Sequence, residues 1–281
     1  MRDAFIQSLT DIATQDKDIF LITGDLGFGV LDDFAKKFPN QFLNVGVAEQ
    51  NMTGVATGLA LNGFKVFTYS IANFTTLRCL EQIRNDACYH DANVNIVSIG
   101  GGFGYGALGM SHHATEDMSI MRALPNLKTI VPGDDYETNE ATKYLCETRG
   151  PSYLRLERGS VIIETDQDEV FSYGKFRKLS SGKDIAVFCS GGMTKVAANT
   201  IEYLKSLNIS LSIYSVHSLK SIDGETLNNA VNKHKGIITL EENNLLGGMG
   251  SSICEYCMDN NIQIKKFKSC LLYTSPSPRD K

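Results

Sequence analysis

The sequence predicts an α/β protein of two domains, each a mostly parallel sheet flanked by helices. Three observations point there. Short, near-continuous apolar runs alternate with amphipathic segments along the body of the chain, as strands do when crossover helices bury both of their faces. A polar, turn-rich stretch from Glu157 to Lys183 interrupts that alternation once. The 281 residues suffice for two cores of ordinary size.

The elements follow in order. Residues 4–13 carry Phe5, Leu9, Ile12 and Ala13 at helical spacing. Residues 18–24 read as a buried strand, and further strands are expected at 42–47, 65–70, 94–100, 127–132 and 152–156. Helices are expected between them at 49–61, 75–89, 116–123 and 136–148. This first domain spans 1–160. Residues 161–183, with Gly174 and Ser180-Ser181-Gly182, are expected to be a linker. The second domain, 184–269, restarts the series with strands at 185–189, 211–216, 236–240 and 262–267. Its helices are expected at 194–207, 225–231 and 251–258.

Residues 270–281 break the pattern. Pro276 and Pro278 fall in a short polar run with no helical period and no following strand. This stretch resembles the in-frame translation of a sequencing adapter. It is expected to be a non-native tail that replaces the end of the second domain.

Composition narrows the function. Hydrophobic residues make up 42% and charged residues 21% of the chain, as in a soluble globular protein. A net charge of −5 argues against a nucleic-acid or membrane-surface binder, which needs basic patches. No apolar stretch approaches the ~20 residues of a membrane span, and the N-terminal residues form no signal-peptide core. Seven irregularly spaced cysteines are expected to be reduced thiols in the cytoplasm. Cys254 and Cys257 are a lone close pair, expected along one helix with no metal between them.

The chemistry concentrates in the first domain. Glu49 stands between the apolar run 42–47 and the small-residue helix 53–60. A carboxyl among such neighbours is expected to be poorly hydrated, the condition that tunes an acid–base group. On the local pattern alone it also reads as an ordinary helix-start glutamate. Asp25 follows the first strand, where ligands of open α/β sheets gather, or is a turn former among glycines. Phe74 ends a strand and reads, by itself, as core. His112 and His113 follow Gly104-Tyr105-Gly106-Ala107-Leu108-Gly109. That string spells a dinucleotide fingerprint, but it comes late and does not run into a covering helix. A mobile glycine loop carrying a catalytic imidazole is the better reading. Arg158 ends another strand and suits an anion, or is a solvated surface arginine.

The stretch 42–60 around Glu49 resembles the glutamate motif of thiamine-diphosphate enzymes of the transketolase group. The resemblance covers nearly all of 1–269 and is closest to the separately encoded C-terminal subunit of split transketolases. It implies a pyrimidine-binding domain followed by a transketolase C-terminal domain. It also implies that Glu49 hydrogen-bonds ring nitrogen N1′ of the cofactor and promotes its imino tautomer, which takes the thiazolium proton. Phe74 then stacks on the aminopyrimidine, Ile71 and Leu77 line its pocket, and Asp25 lies near the thiazolium. His112 matches a histidine that handles substrate protons, with His113 beside it, and Arg158 and Arg2 match arginines that hold the sugar phosphate. Three positions depart from long-chain transketolases: Gly100 for a phosphate-site histidine, Gly29 for a serine, and Leu108 for a hydroxyl-reading aspartate.

The family's Gly-Asp-Gly metal motif is missing. Gly24-Asp25-Leu26 and Gly133-Asp134-Asp135 come nearest. A diphosphate needs a metal or a cradle of N–H donors. The chain is therefore expected to hold only the pyrimidine end of thiamine diphosphate. An N-terminal transketolase subunit would supply the Mg²⁺ and the diphosphate site, most simply in an α2β2 assembly. The expected reaction moves a two-carbon ketol unit from a ketose phosphate to an aldose. Rival readings are the beta subunit of a 2-oxo-acid dehydrogenase, a deoxyxylulose-phosphate-synthase-like enzyme, and a non-catalytic partner subunit. The adjacent histidines with Arg158 favour transketolase over the first, and the intact Glu49 motif argues against the last.

Overall fold

The computed structural model describes residues 1–163 and 170–271. Two sheets organise it. The first contains β1 (Ile19–Thr23), β2 (Phe42–Asn44), β3 (Lys65–Ile71), β4 (Val94–Ile99), β5 (Lys128–Ile130) and β6 (Ser152–Leu156). Their spatial order is β2-β1-β3-β4-β6-β5, and every pairing is parallel. Helices α1 (Arg2–Ala13), α2 (Asp32–Lys37), α3 (Glu49–Leu61), α4 (Ala72–Thr75), α5 (Leu80–Gln82), α6 (Asp117–Ala123) and α7 (Asp135–Glu147) connect them.

Alternation along the strands sends side chains into two cores. Leu21, Phe67, Val97 and Leu154 meet Phe5 and Leu9 of α1 and Leu145 of α7 on one face. Ile22, Val66, Ile96 and Tyr153 meet Met52 and Ala56 of α3 and Met121 of α6 on the other. Both faces are covered, so the strands read as continuous apolar runs.

The second sheet contains β7 (Arg177–Ser180), β8 (Ile185–Cys189), β9 (Leu211–Ser215), β10 (Gly236–Leu240) and β11 (Phe267–Cys270), in the order β11-β10-β8-β9-β7. All pairings are parallel except β7 with β9. Helices α8 (Met193–Asn199), α9 (Ile201–Ser206), α10 (Gly224–Lys233) and α11 (Met249–Asp259) complete this half. Leu227 of α10 and Ile253 of α11 pack on Phe188 and Tyr214, while Ala197 of α8 packs on Val187 and Ile213.

The expected fold class, two α/β domains with mostly parallel sheets, is the one observed. Five local expectations need correction. The segment expected as one helix over 75–89 starts at Ala72 and breaks at Thr76, whose φ and ψ are −110° and −84°. The hydroxyls of Thr75 and Thr76 donate to carbonyls of residues 71 and 72, and such bonds compete with a regular helix. A 3₁₀ turn (Leu77–Cys79), α5 and a π-helical turn (Ile83–Cys88) follow. The helix expected over 194–207 is divided at Thr200 into α8 and α9.

The strand expected at 262–267 forms instead at β11. Ile262 closes the end of α11, donating its N–H to the Cys257 carbonyl at 2.8 Å, and both Ile262 and Ile264 pack on the core. The span expected as a linker contributes β7, a polar antiparallel edge strand with no apolar run to announce it. Cys270, expected in the tail, ends β11, and residues 272–281 lie outside the described residues. Cys254 and Cys257 do share one helix, α11, with Cys257 buried.

The halves meet through polar contacts: buried Arg155 of β6 donates to the Glu242 carbonyl, and Arg122 of α6 pairs with the exposed Glu255 of α11. The Arg155 guanidinium, 2% exposed, faces Asp117 at 3.3 Å. Arg122 forks onto Glu255 with two bonds of 2.7 Å. Among the described residues no helix is long and apolar enough to cross a membrane.

Candidate functional site at the carboxyl ends of the first sheet

In the first sheet the strand order turns outward in both directions between β1 and β3. A crevice opens at such a switch point, beyond the carboxyl ends of the strands. The loops after β2, β3, β4 and β6 carry Glu49, Phe74, His112 and Arg158 to that end.

Glu49 is the first residue of α3 and only 3% exposed. Gly24 makes room for it: a β-carbon there would stand 3.2 Å from Glu49 Cγ. Arg78 Nη1 donates to Glu49 Oε2 at 2.8 Å. Glu49 Oε1 has no hydrogen-bond partner among the described residues.

From Glu49 the side chains form one continuous run. The Arg78 guanidinium carbon lies 4.2 Å from the centre of the Phe74 ring. The Phe74 and His112 rings lie 5.1 Å apart, and His112 and Tyr105 5.9 Å apart. Arg158 covers the far side of Tyr105 at 4.8 Å. Asn73 Nδ2 donates to the Ser111 carbonyl at 2.7 Å and ties the glycine loop to α4. This bond seats His112 beside Phe74. Ser111 Oγ meets His112 Nδ1 at 2.9 Å, which leaves Nε2 without a protein partner among the described residues. The arrangement links a buried carboxylate, an aromatic ring, an imidazole and a guanidinium in one chain of contacts.

The other expected residues divide. Ile71 ends β3 and is buried, while Leu77 is 45% exposed beside Arg78. Asp25 has a φ of +58° and exchanges hydrogen bonds with Asn44, its N–H to Oδ1 at 2.9 Å and its Oδ1 from Nδ2 at 3.1 Å. It therefore clamps the ends of β1 and β2 next to Gly24. His113, expected at the substrate, is turned inward: 8% exposed, its Nε2 meets the Gly106 carbonyl at 2.8 Å and its ring packs edge-on against Phe103. Vicinal side chains diverge, so only His112 faces Phe74. Arg2 pairs with Asp3 at 2.8 Å, which raises its pKa, and the charges of Tyr69 and Tyr105 act on it in the same direction.

Two side chains were not anticipated. Arg78 is the cation nearest Phe74 in sequence, one helical turn on, and that spacing was its available signal. Tyr105 lies inside the glycine loop already noted. Burial raises its phenol pKa, opposed by Arg158 and Arg2. Tyr105 also explains Gly100: a β-carbon there would fall 2.3 Å from Tyr105 Cε2, and Gly100 has a φ of +78°. The tyrosine ring fills the space a side chain at 100 would need.

The nearest approach to a metal motif is used for scaffolding. Asp134 caps α7 by accepting from the Glu137 N–H at 2.8 Å and pairs with Arg177 at 2.7 Å. No group of three His, Cys, Asp or Glu side chains converges among the described residues. A cavity of about 240 Å³ lined by Tyr136, Phe171, Arg177 and His217 contains none of the side chains around Glu49.

The family profile described as "Transketolase, pyrimidine binding domain" matches residues 1–162. The chain belongs to the transketolase family. Residues 174–279 match "Transketolase, C-terminal domain", so the pair is that of the C-terminal subunit of split transketolases. An apulose-4-phosphate transketolase subunit of Phocaeicola vulgatus is 35% identical over 94% of this chain and 85% of its own. A 6-deoxy-6-sulfo-D-fructose transketolase subunit of a Clostridium species is 32% identical over 94% and 82%. The solved structure of a split-gene transketolase, described as an inactive beta4 tetramer, is 33% identical with a TM-score of 0.88. The match covers 98% of this chain and 89% of that one. These relatives support a thiamine-diphosphate-dependent, transferase-type role in a split enzyme.

Proposed function

We propose that this chain is the subunit of a two-chain transketolase that holds the pyrimidine end of thiamine diphosphate. The enzyme would transfer a two-carbon ketol unit from a ketose phosphate to an aldose. The observation that carries this reading is the free Oε1 of buried Glu49, joined through Arg78 to Phe74 and, beyond it, His112. The residues fit the cofactor's ring: a carboxylate oxygen needs a nitrogen partner, and Phe74 is a half-buried aromatic face.

When bound, thiamine diphosphate would supply nucleophilic carbon chemistry toward a ketose carbonyl, and Glu49 and Phe74 would hold its pyrimidine ring. Glu49 orients the pyrimidine and holds the proton at its ring nitrogen through Oε1. Phe74 fixes the ring plane, with Ile71 and Leu77 beside it. His112 Nε2 accepts and returns substrate hydroxyl protons. Arg158, with Arg2 near the same tyrosine, receives the distal phosphate. Asp25 holds the loop ends that shape the crevice, and His113 holds the glycine loop.

An N-terminal partner chain supplies the diphosphate and Mg²⁺ sites, in an α2β2 assembly within the cytoplasm. Exposed apolar side chains support a covering partner. Phe28, Val47, Leu77, Leu108 and Met110, 45–75% exposed, stand on the loops after β1 to β4 around Glu49. Gly100, Gly29 and Leu108 favour a sugar other than that of long-chain transketolases. The names of the relatives, an apulose phosphate and a sulfofructose, fit that variation.

The test is reconstitution. This chain is mixed with the product of the adjacent gene, thiamine diphosphate, Mg²⁺, ketose phosphates and aldoses. Ketol transfer is expected from the mixture and not from either chain alone. Glu49→Gln is expected to lower it by ~10²–10⁴-fold. Equal rates for Glu49→Gln and the parent, or full turnover by this chain alone, would remove the reading. Pyruvate decarboxylation without ketol transfer would instead select the 2-oxo-acid dehydrogenase reading.

A further inference from the structure

We propose that Arg78 is a positioning residue that locks Glu49 and Phe74 into one rigid unit and selects which carboxylate oxygen meets the ligand. The proposal rests on the reading of Glu49 and Phe74 as a pyrimidine site. Three features of the structure lead to it.

First, a carboxylate as buried as Glu49 requires a partner. Among the described residues the cation bonded to it is Arg78, at 2.8 Å. Second, the same guanidinium lies over Phe74 at 4.2 Å. One guanidinium thus makes two kinds of contact: Nη1 donates to Oε2, and its central carbon lies over the ring. A lysine ammonium is a point charge and cannot do both. Third, the backbone that presents Arg78 is fixed. Thr76 and Cys79 on either side are fully buried, and the break at Thr76 turns the chain so that Arg78 falls one turn beyond Phe74.

The consequence is directional. With Oε2 occupied, Oε1 is the oxygen left for a ring nitrogen. With the guanidinium over one face of Phe74 and the His112 ring 5.1 Å away, the ligand ring is confined to the part of Phe74 that these two leave open. Arg78 itself is 44% exposed, so it closes the site from the solvent side rather than forming part of the core.

The experiment titrates thiamine into the full-length chain by NMR, with Glu49→Gln, Arg78→Met, Arg78→Lys and Arg78→Gln beside the parent. Arg78→Met and Arg78→Gln are expected to weaken thiamine binding about tenfold or more. The loss amounts to ~1.4 kcal/mol per factor of ten. Arg78→Lys is expected to fall between them and the parent. Millimolar guanidinium chloride, but not sodium chloride, is expected to restore part of the affinity of Arg78→Met, which a lost packing contact alone would not show. Binding by Arg78→Met as tight as the parent's, or tighter, overturns the role of Arg78; a loss in Glu49→Gln then leaves the site reading standing. Thiamine affinity that is absent in the parent, or unchanged in Glu49→Gln, overturns that reading and the proposal with it.

Discussion

The Arg155 guanidinium donates from Nη2 to the Glu242 carbonyl at 2.9 Å, joining β6 of the first sheet to the loop after β10 of the second. The same guanidinium faces Asp117, which also accepts from the Tyr153 hydroxyl. Glu157 and the Glu242 side chain lie within its field. More acids than cations gather in this junction, which makes it sensitive to both charge and pH.

Replacing Arg155 by methionine strands Asp117 without its cation. Breaking a buried pair on one side costs ~3–5 kcal/mol. Urea unfolding followed by circular dichroism is expected to show a loss of that order. A second, earlier transition would mark the two halves unfolding separately.

Burial, reinforced by the negative charge of Glu157, pushes the Glu242 carboxyl up to about 7, against the pull of Arg155. The folded state therefore binds more protons than the unfolded one between about pH 4.5, the ordinary value, and about 7. Stability tied to this group is fully present below that window and is lost as pH rises through it. Thermal melts at pH 5 and pH 8 are expected to show the parent losing stability at the higher pH. Glu242→Gln should flatten that difference; an unchanged slope would remove Glu242 as its source.

Gly100→His restores the residue type of long-chain transketolases, yet it meets the Tyr105 ring. The ring must move, and Arg158 loses the face it covers. The positive φ adds ~1–2 kcal/mol of backbone strain. In the reconstituted enzyme the variant is expected to raise KM for a phosphorylated ketose several-fold, with a smaller change in kcat. A lowered KM would place the imidazole itself on the phosphate.

His112→Asn keeps a polar side chain beside Phe74 but removes the imidazole. Ketol transfer is expected to fall ~10²–10⁴-fold. Thiamine binding by the chain should stay within about twofold of the parent, because His112 does not touch Glu49. Equal losses in both measurements would make His112 a pocket wall instead.

Much of the first sheet was legible because its strands are buried on both faces. Runs such as Val66 to Ile71 and Val94 to Ile99 contain enough apolar residues to announce themselves. β7 was not legible, since Arg177-Lys178-Leu179-Ser180 is an antiparallel edge strand whose partner lies far along the chain. The break at Thr76 depends on hydroxyl bonds to carbonyls four residues back or fewer, which residue spacing alone does not encode. Glu49, Phe74, His112 and Arg158 were singled out by motif resemblance, and the structure links them through contacts that run by way of Arg78 and Tyr105. Arg78 escaped because its role is set by two neighbours distant from each other in sequence. His113 packs inward against Phe103 while His112 faces Phe74, a divergence of adjacent side chains that their spacing alone does not give.

The four loops that build the crevice follow four different strands, so no short segment of this chain owns it. A one-residue slip of β3 against β1 would reverse the facing of Ile71 and carry the following α4, with Phe74, about 3.3 Å along the strand direction. The crevice proposed as the ligand site is thus a gauge of strand alignment across the first sheet, and a lesion that lets the sheet shift would disassemble it while every one of its side chains is still present.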